Sequence, residues 1–399
     1  MKWQVNCAKN GELTLELNDV AIYSKYRPAN DANHWIQAVV DPDATHYVLI
    51  GLGLGYHLKK LLDLVEDKPI TVYYFEEKEY EIFQQNNGDW WKRDNISLAL
   101  RLDEVKIVST LQILVPNPWI KAIGVNHPLH NLLEMIRLKQ VSYKRASMEM
   151  LGNFNANIEL GDPSIVKKKS HRIACLVASG PSLNATVHWL KKIQQQVDIF
   201  VVGSALKVLE KYNIIPKGVV HADASSENIN QFQETKYNGA LYYLSTANHL
   251  VPKNHQGPRF ILMQEGYSYS EKYAKEKQIP LLQTGGSVST VAFSLIENLG
   301  YQQIVLFGQD LGFASNETHV EHSTSNQKAP FLKLRKVVAN DGTEINTNAG
   351  LLAFLLWYDM KCQETNMRVY NTAAKGAKIK NVNFITEHQL YDLVNLNYY

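Results

Sequence analysis

The sequence predicts an α/β protein in two blocks, the second a doubly wound sheet. Three observations carry this. Short apolar, β-branched runs alternate with helical stretches along most of the 399 residues, and that alternation gives a parallel sheet with helices on its faces. Several runs end on glycine followed by a helical pattern, as a strand-to-helix turn requires. The length exceeds what one hydrophobic core usually serves, so two or three domains are expected.

In the first block, THYVLIGLGLGYHLKKLLDLV (residues 45–65) reads as strand, glycine turn and helix. PITVYYFEEKEYEIFQQ (69–85) follows as the next strand and helix. The GLGLGYH turn at 51–57, with the acids of FEE at 75–77 about 20 residues on, suits a nucleotide ribose. This is the Rossmann-like pattern of dinucleotide- and S-adenosylmethionine-binding domains. The third glycine of the full fingerprint is missing, with Leu58 or Lys59 near its place. The competing reading is a scaffold that keeps its turn glycines for tight packing. Residues 116–161 lack strand character, and 131–160 read as a helical connector. The polar run GDPSIVKKKSHR (161–172) marks a boundary, with Lys167, Lys168 and Lys169 as a solvated face. The expected domains are residues 1–120, a connector 121–168, and 169–399.

The second block opens with IACLVASGPSLN at 173–184. Strands DIFVVGS, KGVVHAD, LYYLSTA, RFILMQ and QQIVLFG follow, and SVSTVAFSLIENLG is a helix closed by Gly300. Ligands of a doubly wound sheet sit beyond the carboxyl ends of its strands. That rule selects one rim: Ser179, Gly180, Pro181 and Ser182; Gly203 and Ser204; Asp223, Ser225 and Ser226; Thr246 to Asn248; and Gly308 to Asp310.

A strand that breaks on Gly180-Pro181 and opens a helix at Ser182 aims free N–H groups at an anion, most simply a nucleotide phosphate. Ser182 reads as the N-cap; a plain turn plus cap is the bland alternative. Asp223 can accept from a ribose or sugar, and Ser225 or Ser226 can donate to a phosphate; otherwise they cap a helix. Thr284, Gly285, Gly286 and Ser287 form a second candidate anion cradle, or a loop with Ser287 as cap. Asp310 tips a strand, with His319 and His322 in the loop that follows. A neutral His there can take a proton from an acceptor hydroxyl. His319, Glu321 and His322 could also hold a metal, but their spacing is not distinctive.

A net charge of +2 gives no support for nucleic acid as the main partner. The apolar run LLAFLLWY at 351–358 is too short to span a bilayer. The opening MKWQVNCAKNG has no signal-peptide core. Cys7, Cys175 and Cys362 lie far apart and read as reduced thiols, so a cytoplasmic protein is expected.

Five stretches occur in an order that carries a resemblance: IYSKYRPANDANHWI, YVLIGLGLGYHLKKLL, CLVASGPSLN, VLFGQDLGFASNETH and YNTAAKGAKIKN. Together they resemble the motility accessory factor (Maf) family. These flagellin glycosyltransferases transfer nonulosonic acids, sialic-acid-like sugars such as pseudaminic and legionaminic acid, from CMP-activated donors. The resemblance implies a Rossmann-like N-terminal domain and a catalytic domain like that of a bacterial sialyltransferase family. It implies that Gly180, Pro181 and Ser182 cradle the CMP phosphate. Asp223, Gly203 and Ser204 would contact nucleotide or sugar, and Thr284, Gly285, Gly286 and Ser287 the cytidine or donor sugar. Asp310 would hold the site together, and His319 or, by preference, His322 would be the general base. Tyr267 and Tyr269 are candidates to help the phosphate leave. The implied partners are the CMP-sugar co-substrate and flagellin, with no cofactor or metal, no membrane span, and self-association open. The chain is short for the family at its C-terminal end, and it has HVEHS where the family often has His-Ala-Glu-Gly.

The same signature resembles archaeal-type 6-hydroxymethylpterin diphosphokinases, which move pyrophosphate from ATP and need Mg²⁺. A non-catalytic scaffold of a flagellar or glycan locus is a further reading. An S-adenosylmethionine methyltransferase built on the first block is another.

Overall fold

The computed structural model describes residues 1–42, 44–100, 111–167, 170–233, 235–313 and 334–396. The chain divides into two compact units, Met1–Val141 and Ser142–Tyr399.

The first unit begins with an antiparallel ribbon, β1 (Trp3–Cys7), β2 (Leu13–Leu17) and β3 (Val20–Ala21), followed by α1 (Pro28–Val39). Then come β4 (His46–Ile50), α2 (Tyr56–Val65), β5 (Ile70–Tyr73), α3 (Glu77–Asn86), β6 (Ile96–Ala99), β7 (Leu111–Leu114), α4 (Asn117–Ile123) and α5 (His130–Glu159). The four later strands pair in parallel in the order β6-β5-β4-β7. The division between the units falls within α5.

The glycine turn after β4 is built for packing. Gly51, Gly53 and Gly55 all have positive φ. A Cβ on Gly51 would stand 2.1 Å from the Trp119 ring, and one on Gly53 would stand 2.5 Å from the Tyr23 hydroxyl. The N–H groups of Leu52 and Gly53 donate to the Glu79 carboxylate at 2.7 and 3.0 Å, and the Phe75 N–H donates to its other oxygen at 2.7 Å. Burial pushes this carboxyl up to about 7, and the three N–H bonds oppose the shift. Of the acids expected at 75–77, Glu76 accepts from the Trp3 indole and pairs with the N-terminal ammonium, and Glu77 is exposed. These contacts favour the packing reading of the glycines.

The second unit runs through β8 (Ala174–Val177), α6 (Leu183–Ile193), β9 (Asp198–Val202), α7 (Gly203–Lys211), β10 (Gly218–His221), a 3₁₀ turn (Ser226–Gln231), β11 (Ala240–Leu244) and α8 (Leu250–Asn254). It continues with β12 (Arg259–Gln264), α9 (Ser268–Lys277), β13 (Leu281–Leu282), α10 (Val288–Asn298), β14 (Gln303–Phe307), the hairpin β15 (Arg335–Val338) and β16 (Glu344–Thr347), and α11 (Ala349–Glu364). It ends with β17 (Arg368–Asn371), β18 (Asn383–Phe384) and α12 (Glu387–Leu396). Nine strands form one parallel sheet in the order β13-β12-β11-β10-β9-β8-β14-β17-β18.

This is the doubly wound sheet the sequence predicts. The chain works outward from β8 on one side through β13, then crosses to β14 on the other. The topological switch lies between β8 and β14, where a ligand crevice is expected. Every residue of β8, β9, β10 and β14 is buried, which explains their unbroken apolar runs. At the amino edge, Asp198 accepts from Tyr301 at 2.6 Å and pairs with Arg172 at 3.0 Å and Lys217 at 2.6 Å. That network anchors the amino end of β9, opposite the end that reaches the cleft.

Gly51→Ala should lower stability on the order of 3 kcal/mol, because it combines left-handed strain with overpacking against Trp119. Urea melts of the full chain measure it. A shift under a third of that would show the turn can yield.

Candidate functional site

A cleft of about 300 Å³ opens at the switch point. Ser179 and Gly180 reach it from the end of β8, and Gly308, Gln309 and Asp310 from the end of β14. Ser204 and Asp223 line it beyond β9 and β10, Ser287, Val288 and Ser289 at the start of α10, and Leu351 and Phe354 from α11.

The two central strand ends interlock. Gly180 N–H donates to the Gly308 carbonyl at 2.8 Å. A Cβ on Gly180 would lie 2.0 Å from an Asp310 carboxylate oxygen, and one on Gly308, at φ +61°, would lie 2.2 Å from the Ala178 carbonyl. Asp310 accepts from the Ser182 N–H at 3.2 Å and from the Ser182 hydroxyl at 2.8 Å. Its own carbonyl accepts from Ala377 N–H at 2.7 Å, and a Cβ on Gly376 would approach its Cα to 3.1 Å. Asp310 is buried, and burial pushes its carboxyl up to about 6 against the two Ser182 bonds. A carboxyl held at such a value in a cleft is a functional candidate.

This arrangement corrects the expected phosphate cradle at Gly180, Pro181 and Ser182. Gly180 N–H goes to Gly308, Ser182 N–H to Asp310, and Leu183 N–H to the Gly180 carbonyl; proline has no N–H. The anion at the start of α6 is the protein's own. Ser182 is also not a side-chain N-cap, because its hydroxyl is given to Asp310.

The other rim loops are fixed from behind. Asp223 closes an Asx turn onto the Ser225 N–H at 2.9 Å, and the Ser225 hydroxyl caps the 3₁₀ turn by accepting from Glu227 N–H at 3.2 Å. Asp223 still faces the cleft, whereas Ser225 does not line it. Ser204 donates to Ser179 at 2.9 Å. The amides of Asn153 and Asn157 on α5 grip the carbonyls of Ala224, Ser245, Thr246 and Ala247 at 2.8–3.3 Å. They hold the loops after β10 and β11 in place.

Ser287 is the cap of α10, in a reciprocal box with Thr290. Thr290 also accepts from Gly285 N–H at 2.9 Å. Val288 and Ser289 occupy the first helical turn, where N–H groups find no carbonyl within the helix, and both residues line the cleft. The donor-rich helix start at this cleft is therefore that of α10.

Of the residues singled out from the sequence, Ser179, Gly180, Ser204, Asp223, Ser287, Gly308, Gln309 and Asp310 meet at the cleft. Among the described residues, Pro181, Ser182, Gly203, Ser225, Thr284, Gly285 and Gly286 do not line it. Tyr267 and Tyr269 pack with Phe154 and do not line it, which removes the support for their expected role at the phosphate. His319 and His322 lie outside the described residues. Sequence reasoning missed Gln231, Ser289, Leu351 and Phe354. For the last two a signal existed: LLAFLLWY is apolar on every side, the mark of a helix with no solvent face.

The family model described as "6-hydroxymethylpterin diphosphokinase MptE-like" matches residues 148–316. That segment carries β8 to β14 and so every strand end at the cleft, but not Leu351 or Phe354. The structure of the MAf glycosyltransferase from Magnetospirillum magneticum AMB-1 is similar with a TM-score of 0.52 and 14% identity, over 100% of this chain and 73% of that one. No curated protein sequence matches the chain. The structural likeness establishes a shared α/β fold. Both matches agree with the resemblances read from the motifs.

Asp310→Asn keeps an acceptor for Ser182 and removes the charge. The native pKa stands above the unfolded one, so the native state holds the extra proton between about pH 4 and pH 6. Wild-type stability from this group should fall as pH rises through that window and stay lowered above it. The variant should lack that slope and gain on the order of 3 kcal/mol above it. Urea melts at about pH 4.5 and about pH 7.5 test this; parallel profiles for the two proteins would refute it.

Proposed function

We propose that the protein is a glycosyltransferase that moves a nonulosonic acid from a CMP-activated donor to Ser or Thr hydroxyls of flagellin. The observation that carries this is the fold shared along the whole chain with a Maf glycosyltransferase, with the cleft at the switch point of the sheet. In this reading the start of α10, with Ser287 and Ser289, meets the anionic groups of the donor, and Asp223 takes a sugar or ribose hydroxyl. His322, or His319, removes the acceptor hydroxyl proton. The oxygen attacks the anomeric carbon, the bond to the phosphate oxygen breaks, and CMP leaves with the electron pair. A single displacement inverts the configuration, and fixed N–H and hydroxyl donors steady the departing charge. Asp310 holds the strand ends in register.

Among the described residues no helix is long and apolar enough to cross a membrane. Cys7, Cys175 and Cys362 are free thiols, which accords with work in the cytoplasm.

A second reading is a Mg²⁺-dependent diphosphokinase-like enzyme. The match over residues 148–316 favours it, as do two carboxylates, Asp223 and Asp310, in one cleft.

Thermal-shift measurements with CMP, CDP, CTP and ATP, with and without Mg²⁺, separate these, since a ligand of the native state raises the midpoint. CMP acting without metal is the expected result. ATP acting only with Mg²⁺ would favour the diphosphokinase, and silence for all would favour a scaffold. In transfer assays with a CMP-nonulosonate and flagellin, replacing both His319 and His322 with Ala should cut the rate about 10²–10⁴-fold while CMP binding persists. Undiminished transfer would remove both from the role of base.

A further inference from the structure

The glycine turn of the first unit sits where parallel sheets receive anions, beyond the carboxyl end of β4. Its polar groups converge on one side chain. Leu52 and Gly53 donate from the turn, Phe75 donates from the end of β5, and all three N–H groups meet the Glu79 carboxylate at 2.7–3.0 Å. Glu79 belongs to α3, so its carboxylate joins two neighbouring strand-to-helix turns. The side chain is wholly buried. Three backbone dipoles, and among the described residues no cation, oppose its desolvation without cancelling it. The surrounding space is filled as well, by Trp119 against Gly51 and by Tyr23 against Gly53.

We propose that Glu79 is a built-in occupant of an anion site, so that the first unit takes no nucleotide phosphate from solution and accepts a small carboxylate once the side chain is cut back. This goes beyond the reaction proposed above and does not depend on it. Glu79→Ala removes a CH₂–COO⁻ group, whose shape acetate reproduces. A purely local structural role would be lost with the side chain and would not return with a free anion.

The test is amide hydrogen exchange on the full chain, comparing sodium acetate with sodium chloride at equal ionic strength. In chloride, Glu79→Ala should exchange at Leu52, Gly53 and Phe75 at least about tenfold faster than wild type. Acetate should restore protection with a saturating dose, and it should leave wild type unchanged. Three results would overturn the proposal: full protection of the variant in chloride, acetate acting no better than chloride, or wild type gaining protection at residues 51–55 with S-adenosylmethionine, NAD or CMP. A variant that folds only in acetate supports it, and one that folds in neither salt counts against it. Glu79→Gln gives an independent reading. Its amide keeps one acceptor, so protection should drop on one side of the carboxylate position without responding to acetate. Wild-type protection at all three amides would mean the charge is not used.

Discussion

The bond between the Asp310 carboxylate and Ser182 is the constraint on which the cleft depends. It closes the end of β14 onto the start of α6 across 128 residues of sequence. Everything around it is arranged to let it form. Gly180 and Gly308 have no side chains because the carboxylate and the Ala178 carbonyl fill those spaces. Gly376 and Ala377, from the segment after β17, grip the Asp310 backbone from the far side. A carboxylate that accepts both a backbone N–H and a hydroxyl makes charge-assisted bonds, stronger than neutral ones. Burial opposes its charge more than those bonds favour it, hence its raised pKa. A native state that keeps such a group does so at a cost in stability, the pattern of a functional position.

The first unit solves the same problem in the same way. Turn N–H groups at the mouth of a parallel sheet need partners once buried. A nucleotide is one partner and water another; a carboxylate carried by the chain itself is a third. Glu79 and Asp310 are both of that third kind, and both are raised by burial. The difference lies in what remains around them. The Glu79 turn is packed shut by Trp119 and Tyr23, whereas Asp310 stands at the edge of an open cleft.

What the sequence could reveal follows the range of each interaction. The strands of the second unit were legible because burial on both faces leaves them uniformly apolar. The rim was legible because strand ends and glycines mark it. The cap was within reach as the alternative reading of Ser287, since its partner Thr290 is three residues away. Ser182 was misread because its partner is Asp310, and no local pattern distinguishes a serine that caps its own helix from one that donates elsewhere. The acids of FEE misled in the same way: Glu76 faces the N-terminal ribbon, and Glu79, one helical turn on, takes the site. Leu351 and Phe354 were missed because hydropathy gives burial but not the neighbour.

The cleft therefore carries two kinds of electrostatics. The start of α10 contributes a positive helix end, while Asp223 and Asp310 contribute carboxylates. An anionic sugar nucleotide gains from the first and is opposed by the second. It would raise the cost of charge on Asp310 and draw a proton onto it. A metal-bound nucleotide would do the reverse, lowering that cost and releasing the proton. Asp310 titrates close enough to neutrality for either ligand to change its state, and the Ser182 bonds survive in part with either form, since a protonated carboxyl still accepts through one oxygen. The strand-end lock can thus stay closed while its charge adapts to what the cleft holds. The sheet supplies the position, and the groups facing Asp310 decide its charge.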